Sequence, residues 1–442
     1  MRLTSEQVLA LAPDASSAAA GKKQANPRVW RNLGQNEHAA WGECQGSAVY
    51  QVRVELETFT VKCTCPSHKF PCKHGLGLLL LAADGKTVPA AEPPEWVASW
   101  LAKRAATESA KREKVAESAK AADDAPTKEQ LKRIEKRENL VAHGLDALDL
   151  WLSDLMRNGL AGLEGQPVTF WERQAAQMVD SQAQGIAGRI RSMAEIPGSV
   201  PDWPAKLLGQ LGRLALLSHS YRRGDALDPA LREDVRQLTG WTLKEDEVTA
   251  RGETVTDDWL LLGQHIEDEE RGKAQRTWLL GVQSLRPALI LQFSFMNQPL
   301  KEMLAPGIRQ HGDLSFWPGA APLRAHFSAR SADTAPISAL PGHESIEVFL
   351  GSAAALLARQ PWHERFLCSL RNVTPIYDIT RDRWHIRDST GAALPLRSGG
   401  HWRLLAISGG APVDFAGEWD GETLLPLGAL AANEYYLLGQ GA

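Results

Sequence analysis

The sequence predicts a multidomain α+β protein, and three observations along its 442 residues support this fold class. Three cysteines and a histidine cluster between residues 63 and 74. Leucine-rich stripes at helical spacing follow between residues 140 and 217, and short apolar runs separated by glycine and proline occupy the chain beyond residue 241. A chain of this length is too long for one compact core. We therefore expect an N-terminal ββα metal-binding unit, a central helical domain and a C-terminal, mainly β region.

The cluster reads C-x-C-x6-C-x-H and consists of Cys63, Cys65, Cys72 and His74. Three soft thiolates and one imidazole are the ligands that a tetrahedral structural zinc site requires. A catalytic zinc would keep one position open for water, and four protein ligands leave none. A redox dithiol normally has C-x-x-C spacing, which this segment lacks. We therefore expect one structural zinc ion.

Alternating apolar residues precede and enter the cluster. The alternation over residues 50–56 and 59–65 predicts two strands, in which both cysteines of the first pair share one face. Pro66 ends the second strand, because proline cannot extend a sheet ladder. The leucine run that follows predicts a helix with Cys72 just before it and His74 in its first turn. Two strands and a helix would thus hold the metal.

Two nearby residues leave alternatives for the ligand set. His68 lies between the two ligand pairs and could replace His74. The spacing favours His74, because a histidine in the first turn of a helix is better anchored than one in a loop. Cys44 is most simply interpreted as a buried thiol, with a fifth-ligand role as the remote alternative.

Basic residues surround the cluster in sequence. They are Lys22, Lys23, Arg28, Arg31, Lys62, Lys69 and Lys73. The simpler interpretation is that the lysines beside the ligands offset the net negative charge of three thiolates on zinc. The alternative is one basic face for nucleic-acid phosphates or for a protein partner, with Trp30 and Trp41 as stacking surfaces. Residues 1–85 carry nine Lys or Arg against seven Asp or Glu, a weak bias that favours protein partners.

The cluster resembles the SWIM zinc finger, whose pattern is C-x-C-x(n)-C-x-H on a ββα unit. Cys63 and Cys65 match its first ligand pair, and Cys72 and His74 match its second. The preceding residues 26–47 are also similar to those of bacterial SWIM finger proteins of comparable length. SWIM fingers occur in transposases, chromatin-remodelling ATPases and signalling proteins, where binding to DNA or protein is their proposed role. The resemblance therefore implies binding rather than catalysis.

The bacterial resemblance also implies a class of partner. Some of those bacterial proteins are similar to products encoded beside MoxR-type AAA+ ATPases and von Willebrand A-type proteins. We therefore expect such a protein as a partner of this chain, with nucleic acid as the alternative and no membrane partner.

The cysteine content and the N-terminus predict a cytoplasmic location. Five cysteines without a preceding export signal suit a reducing compartment. Glu6 and Gln7 interrupt the first apolar segment, which instead predicts a helix that starts at Thr4 or Ser5. No run approaches the roughly 18 apolar residues that a membrane span needs.

Changes in composition divide the chain into four segments. We place the finger domain at residues 1–95, because prolines are frequent near its end. Residues 96–140 are rich in Ala, Lys, Glu and Arg, which is typical of a charged helical linker, with a DNA-contacting helix as the alternative. Apolar stripes starting at Leu140, Trp171 and Leu207 predict a helical domain over residues 141–240.

The last segment, residues 241–442, is β-rich, with one or two subdomains. Its short strands and frequent turns predict a small sandwich or barrel. The predicted elements are strands at 259–263, 277–281 and 288–293, a charged loop from Glu267 to Lys273, a helix from Ser345 to Arg359, and hairpin strands at 384–386 and 402–406.

Three functional interpretations follow from these patterns. The chain has no P-loop, nucleophile elbow or H-E-x-x-H motif, so we expect no enzymatic activity. We expect a zinc-binding interaction protein. The alternatives are a DNA- or RNA-binding protein that uses the finger and its flanking lysines, and an enzyme with an unrecognised C-terminal site.

Overall fold

The computed structural model describes residues 3–67, 69–85, 87–123, 127–269, 272–295, 300 and 302–438. These residues form three parts in chain order: a finger module (residues 3–85), a helical region (residues 95–251) and two β-sheets with their helices (residues 254–438). None of the described helices is long and apolar enough to cross a lipid bilayer.

The finger module combines three helices with a four-stranded sheet. Its elements are α1 (Ser5–Ala10), α2 (Ala15–Gln24), β1 (Trp30–Gln35), β2 (Ala39–Gln45), β3 (Val49–Glu55), β4 (Val61–Cys63) and α3 (Lys73–Asp84). The strands are antiparallel in the order β1-β2-β3-β4, so the sheet has two strands more than the predicted ββα unit. Thr4 and Gln7 form a capping box at the start of α1, which confirms the predicted helix start.

The helical region contains seven described α-helices. They are α4 (Glu95–Asp123), α5 (Lys128–Asn158), α6 (Val168–Asp180), α7 (Gln184–Met193), α8 (Trp203–Arg222), α9 (Pro229–Thr239) and α10 (Glu245–Arg251). We expected the linker to end at residue 140. Helix α5 instead continues past this residue, because Val141 and Leu145 extend its buried face. The stripe that starts at Trp171 is divided between α6 and α7. Gln182 between them has a φ of 57°, which a right-handed helix cannot include.

The C-terminal part contains two antiparallel sheets. Its elements are β5 (Thr254–Glu269), β6 (Gly272–Gly281), β7 (Pro287–Phe295), β8 (Ile308–Phe316), β9 (Ala325–Pro336), α11 (Ile346–Arg359), β10 (Phe366–Asp378), β11 (Arg383–Arg387), β12 (Ala393–Pro395), α12 (Trp402–Ser408), β13 (Val413–Trp419), β14 (Leu424–Ala431) and β15 (Glu434–Leu437). The five-stranded sheet has the order β7-β6-β5-β8-β9, and the six-stranded sheet has the order β12-β11-β10-β13-β14-β15.

Two local predictions for this part are wrong, and one is confirmed. In the charged segment from Glu267 to Lys273, residues 267–269 and 272–273 are strand, because β5 and β6 stay paired up to Glu269 and Gly272; residues 270 and 271 lie outside the described part of the chain. Residues 402–406 belong to helix α12 rather than to a hairpin strand, and Leu404 of this helix is buried against the six-stranded sheet. The predicted helix after Ser345 is present as α11, and the Ser345 hydroxyl caps its first turn.

The five-stranded sheet lies between the finger module and the six-stranded sheet. One apolar cluster joins the leucines of α3 to Trp259 and Leu261 of β5. A second cluster joins Leu260 and Leu262, which alternate with them along β5, to Ala416 of the six-stranded sheet. Helices α11 and α12 cover the other face of the six-stranded sheet. The finger is therefore one layer of a continuous structure.

Polar contacts of helix α1 also join the finger module to the C-terminal sheets. The Gln7 side-chain amide donates to the carbonyl oxygen of Gly307, just before β8, at 2.8 Å. Glu6 forms an ion pair with Arg403 of α12. The first helix of the chain therefore contacts both parts of the C-terminal region.

Candidate metal centre

The first ligand pair lies where strand β4 ends. Cys63 is the last residue of β4 and pairs with Val52 of β3. The Thr64 N–H donates to the Gln51 carbonyl at 3.1 Å, and the Thr64 hydroxyl accepts from the Gln51 N–H at 3.0 Å. These two hydrogen bonds keep the chain paired with β3 for one residue beyond Cys63. Cys65 therefore lies beyond the strand rather than within it, in the bend that precedes Pro66.

The second ligand pair lies at the start of helix α3, as the sequence predicts. Cys72 is the residue that caps α3, and its sulfur accepts from the Gly75 N–H at 3.4 Å. His74 is in the first turn and is 4% exposed. The amino end of a helix carries partial positive charge, which favours a thiolate at Cys72.

The four ligand atoms meet at one point. They lie within 4.8 Å of one another, and the Cys63 sulfur is 3.8 Å from His74 Nδ1. Tetrahedral coordination with zinc–sulfur bonds of ~2.3 Å gives ligand separations of about 3.8 Å. The spacing and the three-sulfur, one-nitrogen donor set therefore fit one zinc ion held by Cys63, Cys65, Cys72 and His74. All four positions are filled by protein, so the zinc is structural.

The protonation of the thiols follows from their contacts. The pKa of Cys72 is lowered to about 4, mainly because the Cys63 thiol donates a hydrogen bond to its sulfur. The pKa of Cys63 is raised by the same bond and by burial, and burial raises the pKa of Cys65. One sulfur of the cluster is thus ready to bind a cation, and zinc binding would displace the protons of the other two.

Residues around the ligands fix their orientation. The Tyr50 ring lies against the His74 imidazole, with ring centroids 4.9 Å apart, and the Tyr50 hydroxyl bonds Ser47 at 2.7 Å. Cys44 is not part of the cluster. Its buried thiol donates to the Gln24 side-chain oxygen at 3.3 Å, and burial raises its pKa to about 11. His68, the alternative ligand, lies outside the described residues.

The predicted basic residues do not share one element. All seven are exposed, and they lie on α2, the segment that leads to β1, β1 itself, β4, the ligand loop and α3. Lys69 forms an ion pair with Asp14 at 2.8 Å and donates to Ser16 at 3.1 Å, and this contact lowers the pKa of Asp14. Lys62 neighbours Cys63 along β4 and therefore points to the opposite sheet face.

That opposite face is covered by α4, which composition alone did not reveal. Val97 of α4 packs on Trp41 of β2. The Arg53 guanidinium lies 5.1 Å from the ring centroid of Trp96 and 5.6 Å from that of Trp100. Two tryptophans four residues apart, just after a proline pair, were the signal in the sequence that this helix begins on an apolar surface.

An ion pair also fixes the same helix. Arg104 of α4 pairs with Glu55 of β3 at 2.7 Å, and both side chains are mostly buried. The start of α4 is thus fixed to the finger sheet on the side away from the zinc.

Comparison with known families agrees with this geometry. The family model of the SWIM zinc finger matches residues 50–83, which include β3 from its second residue, β4, the four ligands and most of α3. The model of the SWIM-associated four-helix bundle domain matches residues 136–239, which extend from α5 to α9. No curated protein and no solved structure matches the chain. Residues 50–83 are therefore a SWIM zinc finger with a ligand set for one structural zinc ion, and residues 136–239 of the helical region match the SWIM-associated four-helix bundle domain.

Proposed function

We propose that this chain is a non-enzymatic interaction protein in which the finger module binds a protein partner. The closed zinc site is the observation that carries this proposal. With three thiolates and one imidazole on the metal, no coordination position is left for a substrate or an activated water. The zinc can then act only by holding the finger surface in one shape.

The packing of the finger supports a scaffold role. Its helix α3 shares an apolar cluster with the five-stranded sheet, and α4 covers its other face. A partner bound to the finger is therefore held at a fixed position relative to the rest of the chain. This is what an adaptor needs, and we propose a MoxR-type AAA+ ATPase or a von Willebrand A-type protein as the partner. We expect this chain to be located in the cytoplasm.

Affinity capture tests the protein-partner proposal. The purified chain is the bait in native lysate, with and without nuclease, and captured proteins are identified by mass spectrometry. We expect an AAA+ ATPase or a von Willebrand A-type protein in both conditions, and its loss with a Cys65→Ala bait. Capture of these proteins only without nuclease, or equally by both baits, contradicts the proposal.

The alternative function is nucleic-acid binding through the exposed basic residues. Lys22, Lys23, Arg28, Arg31, Lys62 and Lys73 have no described ion pair, whereas Lys69 is engaged by Asp14. If phosphates bind here, a Lys22/Lys62/Lys73→Gln variant loses affinity for every DNA sequence alike. The salt slope then falls by about 0.9 for each lost duplex phosphate contact.

The matched control removes the same charge from another surface. Lys128, Lys132 and Lys136 are exposed on α5, outside the finger module, and their change to Gln should leave finger binding unaltered. We expect only weak duplex binding by the unmodified chain at physiological salt. A sub-micromolar dissociation constant that the finger variant abolishes and the α5 variant retains would replace the protein-partner proposal.

A further inference from the structure

A cleft lies between the zinc ligand loop and the five-stranded sheet. Its volume is about 350 Å³, near the lower end of the range of about 300–1,000 Å³ for sites that bind small ligands. One side is formed by Phe70 and Pro71, which lie between the two zinc ligand pairs, and the other side by β5 and β6. The cleft therefore exists because the finger module packs on the C-terminal region.

Gln275 of β6 forms part of the cleft on the sheet side. Its side chain lies on the finger-facing side of the sheet, because it alternates in phase with Leu279, which packs in the cluster shared with the finger. Gln275 is 5% exposed, yet within the described part of the chain its side-chain amide makes no hydrogen bond. A buried amide without a partner destabilises a fold, so this amide indicates a ligand.

A second buried amide lies beside the first. Gln292 of β7 is directly opposite Gln275 in the sheet, so the two side chains share one face, and Gln292 is 8% exposed. Its side-chain oxygen accepts from the Glu302 N–H at 2.8 Å, whereas its side-chain nitrogen has no partner among the described residues. The two strands thus place one carbonyl oxygen and the N–H groups of two amides where they can still form hydrogen bonds.

This set of donors and acceptors indicates the chemistry of the ligand. A carboxamide offers both an acceptor and a donor in return. An ionised carboxylate fits less well, because the buried amides carry no charge that would compensate it. At the rim, Lys69 and Asp14 neutralise each other at 2.8 Å, and Lys273 and Glu302 add one charge of each sign. The site therefore favours a neutral polar group.

The walls of the cleft favour a side chain over a backbone segment. Strand β6 is hydrogen-bonded to β5 along one edge and to β7 along the other, so an added strand cannot pair with it. Leu11, Phe70 and Met303 give the cleft apolar walls, which suit the methylene groups of an amide side chain. We propose that the cleft binds the side-chain carboxamide of a glutamine or asparagine that a partner protein inserts. This inference rests on the protein-partner function proposed above and states where the partner binds.

Titration of the intact, zinc-loaded chain with N-acetylglutamine N-methylamide, and with its asparagine counterpart, tests the site directly. Met303 lines the cleft, so its methyl NMR signal reports binding, whereas the signal of Met178 in the helical core should stay unchanged. We expect one or both compounds to bind with a dissociation constant of about 1 mM, as befits so small a ligand. No shift of the Met303 signal up to about 20 mM overturns the site.

Two analogues test the role of the carboxamide. The glutamate counterpart buries an uncompensated charge, and the norleucine counterpart leaves both buried amides unpaired. Each should therefore bind at least about tenfold more weakly than the better amide compound. Binding of the norleucine counterpart as strong as that of the amides would mean that the cleft selects apolar groups, which overturns the proposal.

Gln275→Leu separates binding from folding. It should weaken amide binding at least about tenfold, but it should keep or raise the midpoint of urea unfolding, because the removed amide makes no hydrogen bond in the unliganded chain. Gln283→Leu is the matched control, since it removes an exposed glutamine from the turn after the same strand and should leave both quantities unchanged. A lower midpoint for Gln275→Leu would mean that the amide stabilises the fold itself, which overturns the proposal.

Affinity capture with these two variants as baits distinguishes the cleft from the broader function. Loss of the captured partner with Gln275→Leu, and its retention with Gln283→Leu, supports the cleft as the docking site. Equal capture by both baits leaves the protein-partner function in place and overturns the cleft as its docking site. Amide binding without any captured protein overturns the protein as the source of the carboxamide.

Discussion

Gly75 sets the distance between the two ligand pairs. A methyl group at this residue would lie 2.4 Å from Val61 Cγ1, and Val61 is two residues before Cys63 on β4. Val61 is buried in the finger core and cannot move freely. A side chain at position 75 would therefore displace the first turn of α3, together with Cys72 and His74. The site depends on this close approach as well as on its four ligands.

The ligand assignment gives the prediction at this scale. Cys65→Ala leaves three ligands, and we expect zinc content to fall from one ion per chain to none. Structural zinc contributes an apparent ~10–16 kcal/mol to finger peptides near neutral pH, so the finger module should unfold. Elemental analysis measures the zinc. Hydrogen exchange should show lost protection over residues 50–83 and retained protection over residues 141–240.

Cys44→Ala is the control for this prediction. Cys44 contacts Gln24 rather than the ligand cluster, so zinc content should stay at one per chain. Full zinc occupancy in a Cys63→Ala/Cys65→Ala variant would show that the ligand assignment is wrong.

Among the elements, those with strong local signals were predictable. The ligand cluster fixed the turn after β4 and the start of α3, and the hydroxyls of Thr4 and Ser345 marked two helix starts. Strands β1 and β2 lack a clear alternation of apolar and polar residues. Gly34 and Gly42 stand at positions where the backbone contacts a tryptophan ring of the neighbouring strand. Their places are set by contacts across the sheet, which the sequence does not list.

Helix α4 illustrates a second limit on what sequence can predict. Its helical start near Trp96 was predicted, but its docking site was not. The contact partner, Arg53, lies in a different element, and charge-rich composition suggested a solvated linker. The same limit applies to residues 402–406. They form a helix rather than a strand because Leu404 is buried against a sheet that is distant in sequence.

The docking of α4 can be tested through Trp100, which is 8% exposed. Trp100→Ala removes buried apolar area and one of the two rings beside Arg53. Removal of a buried tryptophan typically costs about 3–5 kcal/mol. We expect backbone amides of residues 97–104 to lose about 100-fold in hydrogen-exchange protection, which corresponds to about 3 kcal/mol. Lys103→Ala, an exposed change in the same turn, should leave protection as it is. Equal protection in both variants would mean that α4 does not depend on this contact.

At the scale of the whole molecule, one buried carboxylate links the two C-terminal sheets. Glu418 of β13 is fully buried and accepts hydrogen bonds from Arg276 at 3.0 Å, Arg365 at 2.8 Å and the Trp278 indole at 2.7 Å. Glu267 also accepts from Arg276, and their contact lowers the pKa of Glu267. The positive charges of two arginines thus compensate the negative charges of two glutamates between the sheets.

Removal of the central carboxylate should be costly. Glu418→Ala leaves Arg276 buried with only part of its compensation, and the loss of one partner from a buried ion pair costs about 3–5 kcal/mol. Urea unfolding should show a lower midpoint. Glu422→Ala removes an ion pair to Lys206 that is partly exposed, so its effect should stay below about 1 kcal/mol. Equal midpoints for the two variants would show that the buried network does not stabilise the protein.

The contact between Gln7 and Gly307 has a consequence for biosynthesis. Its two residues are separated by 300 positions, and the pair between Glu6 and Arg403 spans 397. At about 5–20 residues per second, a ribosome needs some tens of seconds to cover such a distance. During that interval the newly made first helix has its finger neighbours α2 and α3 but lacks these two C-terminal partners. The four zinc ligands, by contrast, leave the ribosome within twelve residues of one another. The nascent chain can therefore load its metal long before its amino terminus reaches its final place.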